Sequence, residues 1–235
     1  MVNRFTPAWF TTYLKTYGEA FTANELAFIM RQAPLPTYRA ALDLCCGDGR
    51  LAIPLAERGY QVTGVERDSA MVADARARAG DSARFIQTDM RDLREAPGSF
   101  DVVVNMWHSF GFFDANTNAS IVRQIYEKLN PRGRFIIDIY NRAWFVEHQG
   151  TETAERDGRH ITSTRTMHGD RLTVHIDYGA DLTPDTFNWQ LYTPQEFIAL
   201  AEDIGFQRLV ACAWTDESRA ITAADARMQL VFEKR

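Results

Sequence analysis

Short apolar runs alternate with helix-like stretches between residues 40 and 140, and this alternation constrains the fold more than any other feature of the sequence. The runs are nearly continuous and rich in β-branched or aromatic residues, which is typical of parallel strands covered by helices on both faces. They are Ala40 to Leu44, Val62 to Val65, Phe85 to Thr88, Phe100 to Val104 and Phe135 to Ile139. Helical stretches lie at Leu51 to Arg58, Ser69 to Ala79 and Asn116 to Leu129. This order predicts an α/β fold with a Rossmann-like sheet and a ligand beyond the carboxyl ends of its strands.

Before the first run, Glu19 to Arg31 has the pattern of an amphipathic helix, and an aromatic-rich segment precedes it. The aromatic residues are Phe5, Trp9, Phe10, Tyr13 and Tyr17. Two interpretations stay open at this point. The segment is either a lid over a ligand site or a set of side chains that packs the N-terminal helices onto the sheet.

After Asn141 the pattern changes to antiparallel strands separated by Gly-Asp and Pro-Asp turns. The expected strands are His160 to Met167, Arg171 to Tyr178 and Phe187 to Tyr192, followed by a helix over Pro194 to Ile204 and strands at Leu209 to Trp214 and Met228 to Glu233. We therefore divide the chain into four segments. Residues 1–39 form an N-terminal helical lid segment and residues 40–140 a cofactor-binding core. Residues 141–193 form a small antiparallel insertion, expected on the side of the acceptor substrate, and residues 194–235 the C-terminal end of the core sheet.

Composition narrows the class of protein. The 235 residues carry a formal net charge of -5, which disfavours a nucleic-acid partner because the phosphate backbone is repelled. No run approaches the length of a membrane span, and the N-terminal residues lack the pattern of a signal peptide, so we expect a cytoplasmic protein without a membrane partner. Cys45 and Cys46 are adjacent and Cys212 is remote, which predicts no metal site.

The segment from Ala41 to Arg50, Ala-Leu-Asp-Leu-Cys-Cys-Gly-Asp-Gly-Arg, predicts a ligand-binding turn between a strand and a helix. Gly47 and Gly49 allow tight turning and close approach of the backbone to a ligand, and Asp43 is placed to accept hydrogen bonds from a cationic group. Glu66 ends the next strand, 17 positions after Gly49, where a carboxylate can bind both hydroxyls of an adenosine ribose. This spacing suits NAD and S-adenosylmethionine equally.

A third feature is Gln87-Thr-Asp-Met90, which places Asp89 in a turn after the third strand. Asp89 could accept a hydrogen bond from the exocyclic amine of adenine while the backbone of Met90 meets the ring and Met71 or Met90 packs on its face. An aspartate at such a position is also commonly a helix cap.

Together these segments resemble the class I S-adenosylmethionine-dependent methyltransferases, in particular bacterial small-molecule methyltransferases with a short antiparallel insertion. The resemblance rests on the segments already quoted and on Val-Thr-Gly-Val-Glu-Arg-Asp, Phe-Asp-Val-Val-Val-Asn-Met-Trp-His-Ser-Phe-Gly-Phe-Phe, Leu-Asn-Pro-Arg-Gly-Arg-Phe and Leu-Tyr-Thr-Pro-Gln-Glu-Phe. It implies a seven-stranded sheet with a reversed last strand, S-adenosylmethionine as methyl donor and S-adenosylhomocysteine as product.

The resemblance also implies site residues. Asp43, Gly47 and Gly49 would hold the methionine moiety, Glu66 the ribose, and Asp89 with Met90 the adenine. Cys45 stands where the family commonly has glycine, and Glu66 replaces the commoner aspartate. The expected cofactor-binding set is completed by Cys45, Arg67 and Asn105.

The acceptor side is predicted from Asn105-Met-Trp-His-Ser109, the region that faces the transferring methyl group in this family. His108 is the candidate general base, with a helix cap or a packing residue as the alternative. The residues expected to bind the acceptor are Tyr13, Tyr17, Trp107, Tyr140, Arg142 and Trp144. Aromatic walls suit a planar ring or an ammonium group, and Arg142 could pair with a carboxylate.

The predicted function is therefore transfer of a methyl group to O or N of a small molecule by in-line displacement, in a monomer or homodimer. Two other interpretations share part of the pattern. An NAD-dependent oxidoreductase explains the glycine turn and Glu66 but neither Asp89 nor the Trp-His-Ser stretch, and the sequence shows no Tyr-x-x-x-Lys pair for hydride chemistry. A non-catalytic S-adenosylmethionine-binding protein would keep the cofactor residues without turnover.

Overall fold

The computed structural model describes residue 3 and residues 5–13, 18–156, 158–179 and 181–235. Its helices are α1 (Pro7–Tyr13), α2 (Glu19–Gln32), α3 (Ala52–Glu57), α4 (Ser69–Ala79), α5 (Ala115–Lys128), α6 (Arg142–Glu147) and α7 (Pro194–Ile204), with a short 3-10 helix at Leu93–Glu95. Its strands are β1 (Ala40–Leu44), β2 (Gln61–Glu66), β3 (Arg84–Gln87), β4 (Phe100–Asn105), β5 (Leu129–Tyr140), β6 (Gly150–Arg156), β7 (Arg159–His168), β8 (Arg171–Asp177), β9 (Asp185–Gln190), β10 (Phe206–Cys212) and β11 (Arg227–Lys234).

Seven strands form one sheet in the order β10-β11-β5-β4-β1-β2-β3. Strands β1 to β5 pair in parallel, whereas β11 is antiparallel to both β5 and β10. The predicted Rossmann-like sheet with a reversed last strand is thus confirmed. The strand order turns back at β1, which lies between β2 and β4, and this switch point is where open α/β sheets bind ligands.

Helices cover both faces of this sheet because side chains alternate along each buried strand. In β4, Val103 packs into one core cluster with residues of α5 and α7, whereas its neighbours Val102 and Val104 pack on the other face with residues of α2, α3 and α4. All three valines are fully buried. The nearly continuous apolar runs of the sequence are the consequence of this two-sided burial.

A second sheet, β6-β7-β8-β9, is antiparallel throughout and forms the predicted insertion. It has four strands where three were expected. The sequence of β6, Gly-Thr-Glu-Thr-Ala-Glu-Arg, is exposed along its whole length and lacks an apolar alternation, so it gave no strand signal. The short helix α6 was also not predicted. No helix in the described ranges is long and apolar enough to cross a membrane.

Capping groups fix where the helices next to the ligand edge begin. The Asp68 carboxylate accepts hydrogen bonds from the backbone N–H groups of Ala70 (2.8 Å) and Met71 (3.1 Å), so α4 starts at Ser69, with only two residues between it and the end of β2. Thr193 and Glu196 form a reciprocal capping box at the start of α7. The Asp68 cap holds the strand-to-helix turn after β2, which carries part of the candidate site.

Candidate functional site

A cavity of ≈ 640 Å³ lies beyond the carboxyl ends of β1, β2 and β4, at the switch point of the sheet. Its volume falls within the range of about 300–1,000 Å³ that is typical of small-molecule sites. Seven of the nine residues predicted to bind the cofactor line it: Asp43, Cys45, Gly47, Glu66, Arg67, Asp89 and Met90. Gly49 does not line the cavity but belongs to the same turn as Gly47. We call this space the first cavity.

The turn after β1 requires left-handed backbone at three positions. The φ angles of Cys45, Gly47 and Gly49 are 64°, 55° and 83°. The backbone N–H of Cys46 donates to the carbonyl of Val65 (3.0 Å), which ties the turn to β2. The left-handed angle of Cys45 explains why glycine is suited to its position, and the structure accommodates cysteine there at a modest conformational cost.

Asp43 is the buried anion of the first cavity. Its side chain sits at the end of β1, only 3% of the residue is exposed, and Oδ2 has no hydrogen-bond partner among the described residues. Burial raises the pKa of Asp43 to about 7, although the nearby Arg50 guanidinium opposes this shift. A buried acceptor of this kind is suited to a ligand that brings its own positive charge.

Glu66 is held rigidly at the end of β2. Its carboxylate accepts hydrogen bonds from the backbone N–H groups of Gly47 (3.2 Å), Arg67 (2.8 Å) and Asp68 (2.9 Å). Two carboxylate oxygens can accept about four hydrogen bonds, so capacity remains for about one ligand hydroxyl. The Arg67 side chain lines the same cavity and donates to the backbone carbonyl of Asn3.

Asp89 lies at the other end of the first cavity, but its carboxylate is already paired. Arg91 donates to Oδ1 from Nε (2.8 Å) and to Oδ2 from Nη2 (2.9 Å). Partial burial acts to raise the pKa of Asp89, but the hydrogen bonds and charge of Arg91 outweigh it and lower the pKa. The same guanidinium stacks 4.7 Å from the ring centroid of Phe113, another wall of the cavity. An adenine amine would share this carboxylate with Arg91.

Asn105 differs from expectation, because the structure does not bring it to the first cavity. The side chain is fully buried between β1 and β4, where Nδ2 donates to the carbonyl of Leu44 (2.8 Å). Its position joins the two central strands. The prediction that it binds the cofactor has no support from this geometry.

The turn after β4 has an unusual backbone that depends on a residue the sequence reasoning missed. Trp107 and His108 have φ angles of 61° and 48°, in the region that favours glycine. Asp138 of β5 fixes both residues: its Oδ2 accepts from the N–H of Trp107 (3.0 Å) and its backbone carbonyl accepts from the N–H of His108 (2.9 Å). The signal in the sequence was an aspartate inside the apolar run Phe-Ile-Ile-Asp-Ile.

His108 points into a second cavity of ≈ 320 Å³, between the core sheet and the antiparallel sheet, and does not line the first. Its ring stacks on Tyr140 with centroids 4.2 Å apart, and Tyr140 Oη lies 3.3 Å from Nε2. Burial, together with the positive charge of Arg227, holds the pKa of His108 well below its usual range. The imidazole is therefore neutral at pH 7.

Four of the six residues predicted to bind the acceptor line this second cavity: Tyr13, Trp107, Tyr140 and Trp144. Arg142 does not, because its guanidinium pairs with Glu196 at 2.5 Å. Tyr17 lies outside the described residues. The aromatic segment before α2 both packs against the antiparallel sheet, as in the 4.7 Å contact between Phe5 and Phe187, and lines the cavities.

Comparison with known proteins agrees with this geometry. Residues 41–133 match the family model described as methyltransferase domain. A protein of Bacillus subtilis strain 168 named as a candidate methyltransferase, YqeM, is 31% identical over 113 residues, which span 47% of this chain and 46% of that protein. The chain thus spans less than half the length of this curated relative.

Solved structures show the fold of the whole chain. An S-adenosylmethionine-dependent methyltransferase from Clostridium acetobutylicum ATCC 824 matches with a TM-score of 0.82 over 96% of both chains at 14% identity. The amino pentose methyltransferase CalS10 from Micromonospora echinaspora, solved with S-adenosylmethionine bound, matches with a TM-score of 0.73 over 100% of both chains at 21% identity. The core sheet and the antiparallel insertion therefore have the fold of these class I methyltransferases.

Proposed function

We propose that this chain binds S-adenosylmethionine in the first cavity and transfers its methyl group to a small molecule. The observation that carries the proposal is the buried carboxylate of Asp43 near the carboxyl end of β1, one oxygen of which has no hydrogen-bond partner in the part of the chain that the structure describes. The amino group of the methionine moiety supplies the positive charge that such a carboxylate requires. NAD offers no ammonium group to this position.

The other lining groups fit the remaining parts of that ligand. Glu66 has a fixed carboxylate that can still accept a hydrogen bond from a ribose hydroxyl. Met90 is buried in the wall beside Cys45, with Sδ and Sγ 3.7 Å apart, and its thioether suits contact with a planar ring. Small-molecule acceptors are supported by the comparison with CalS10, whose name describes an amino pentose methyltransferase.

When bound, S-adenosylmethionine supplies a methyl group that an acceptor lone pair takes as the carbon–sulfur bond breaks and its electron pair passes to sulfur. The protein's part is to align the two reactants and to exclude water. Trp107 and Trp9 line both cavities, so their apolar rings are placed to exclude water where donor and acceptor would meet.

His108 is the proposed general base for an acceptor that must lose a proton. The neutral imidazole can accept that proton at Nε2, the atom that faces Tyr140 Oη at 3.3 Å. Because burial disfavours the charged form, the imidazolium would return its proton readily to solvent. Oxygen and nitrogen acceptors both fit this arrangement.

Formation of S-adenosylhomocysteine tests the proposal. The purified protein is incubated with S-adenosylmethionine and with low-molecular-weight fractions of a bacterial extract, and the product is quantified. We expect acceptor-dependent product formation that Asp43→Asn abolishes and that substitution of exposed Asp74 by asparagine leaves unchanged. Cofactor binding without product in any fraction would instead favour a non-catalytic binding protein.

A further inference from the structure

The floor of the second cavity is one face of the antiparallel sheet. Side chains alternate between the two faces of each strand, and every second residue of β6 and β7 faces the cavity. These residues are Glu152, Ala154 and Arg156 in β6 and Ile161, Ser163 and Arg165 in β7. The charged residues of the insertion that matter for a ligand are therefore the three on this face.

Of these three charged residues, Arg156 and Arg165 are positive and Glu152 is negative. Arg165 Nη2 pairs with Glu152 Oε2 at 2.5 Å. Arg156 forms no ion pair with any described residue, and its guanidinium stacks 5.3 Å from the ring centroid of Tyr13. Within the described ranges, the cavity floor therefore carries one positive charge without an anionic partner, that of the exposed residue Arg156.

The buried wall also offers a hydrogen-bond donor. Trp189 lines the cavity and is only 5% exposed, yet its indole Nε1–H has no partner among the described residues. Indole N–H groups are donors only, and a buried donor without a partner costs free energy. His108, on the opposite wall, is neutral at pH 7 and adds no further positive charge to that of Arg156.

We infer that the second cavity binds the methyl acceptor and that this acceptor is a small planar ring bearing an anionic group, a carboxylate or a phosphate. Aromatic walls alone would suit either a flat ring or an ammonium ion. Two groups without a partner among the described residues, the positive charge of Arg156 and the indole N–H of Trp189, favour an anion. An ammonium ion would be repelled by the first and would leave the second unpaired. The inference rests on the proposed function for the identity of the occupant.

The ring would lie among the side chains that connect the cavities. Trp9 and Trp107 stand between the cavity floor and the first cavity, with ring centroids 5.4 Å apart. The anionic group would be held by Arg156 at the floor, and the opposite end of the ring would face Trp107 and the methyl donor. This placement sets the methylated atom at a distance from the anionic group.

The test compares four one-ring probes that differ in charge: benzoate, phenyl phosphate, phenol and benzylammonium. Their dissociation constants are measured by quenching of tryptophan fluorescence, with the protein saturated with S-adenosylhomocysteine. Saturation is verified first by calorimetry, because failure to bind S-adenosylhomocysteine overturns the proposed function and not the cavity's charge preference. We expect at least one anion to bind about tenfold more tightly than phenol, and benzylammonium to bind most weakly.

Substitutions then assign the preference to the cavity. Arg156→Gln should remove the preference for the anion while leaving the affinities for phenol and S-adenosylhomocysteine unchanged. Glu152→Gln should strengthen anion binding, because it removes the one acidic group of the floor. Arg208→Gln, an exposed site on β10, is the matched control and should change nothing.

The pattern of probe affinities decides the inference. Tighter binding of benzoate alone or of phenyl phosphate alone supports the inference and identifies the anionic group. Equal affinity for all four probes overturns it, as does an anion preference that survives Arg156→Gln or a preference for benzylammonium.

Discussion

The rings of Trp9 and Trp107 lie 5.4 Å apart at an angle of 45°, and both residues line the first and the second cavity. Trp9 comes from α1, near the start of the chain, whereas Trp107 follows the central strand β4. The N-terminal helix is therefore part of the wall at the point where donor and acceptor would meet.

Replacing Trp9 by alanine should open this wall to water. We expect kcat/KM for the acceptor to fall by about tenfold or more, because alignment and water exclusion are the main contributions of the protein. The dissociation constant of S-adenosylhomocysteine should change much less. Steady-state kinetics and calorimetry check the two quantities, with exposed Trp214→Ala as the control. Unchanged kcat/KM would show that Trp9 only packs the sheet.

Asp43 should make cofactor binding depend on pH. Its pKa of about 7 in the free protein means that the carboxyl is protonated in half of the molecules near neutrality. An ammonium ligand binds the ionised form, so affinity should rise with pH up to about 7 and level off above it, with release of a proton. Calorimetry in two buffers of different ionisation enthalpy measures that release. Asp43→Asn should bind far more weakly and release no proton from this site.

His108→Ala should lower turnover by about a hundredfold if the acceptor must lose a proton. The pKa of His108 lies well below its ordinary value of 6.5, so the neutral base persists as the pH falls through that value. Activity should therefore be retained near pH 6 and be lost only at clearly lower pH. A pH profile of kcat, with exposed His168→Ala as control, measures this. A loss of less than a few-fold in His108→Ala would show that it packs rather than catalyses.

Asp138→Asn should destabilise the protein and disturb the turn that carries Trp107 and His108. Asp138 is fully buried, pairs with Arg227 and accepts from Gln229 Nε2 (2.8 Å). Breaking a buried ion pair costs about 3–5 kcal/mol. Denaturant unfolding of the variant measures this cost. An exposed counterpart, Asp74→Asn, should cost little, and equal stabilities would contradict the role of Asp138.

Much of the fold follows from the sequence because burial on two faces leaves a strong local pattern. The bounds of β1, α4 and α7 agree with the predicted ones, and each has either a continuous apolar run or a clear cap. Strand β6 was missed because its stability comes from pairing with β7, which a local window does not show.

Part of the candidate site was likewise predictable from the sequence, and part was not. Asp43 and Glu66 were predictable since each lies at or next to the carboxyl end of a parallel strand, and such ends meet at one edge of the sheet. Arg156 and Trp189 were not, because their place in the second cavity depends on which face of the insertion packs toward the core. Arg142 was misassigned for a related reason: its partner, Glu196, is 54 residues away in the chain.

Binding of S-adenosylhomocysteine and NADH by calorimetry, in the native protein and in Glu66→Ala, tests the central claim most directly. The account predicts micromolar binding of S-adenosylhomocysteine, weakened about tenfold or more in Glu66→Ala and unchanged in exposed Glu57→Ala, with no binding of NADH. Binding of NADH alone, or binding of S-adenosylhomocysteine that is indifferent to Glu66→Ala, would contradict it.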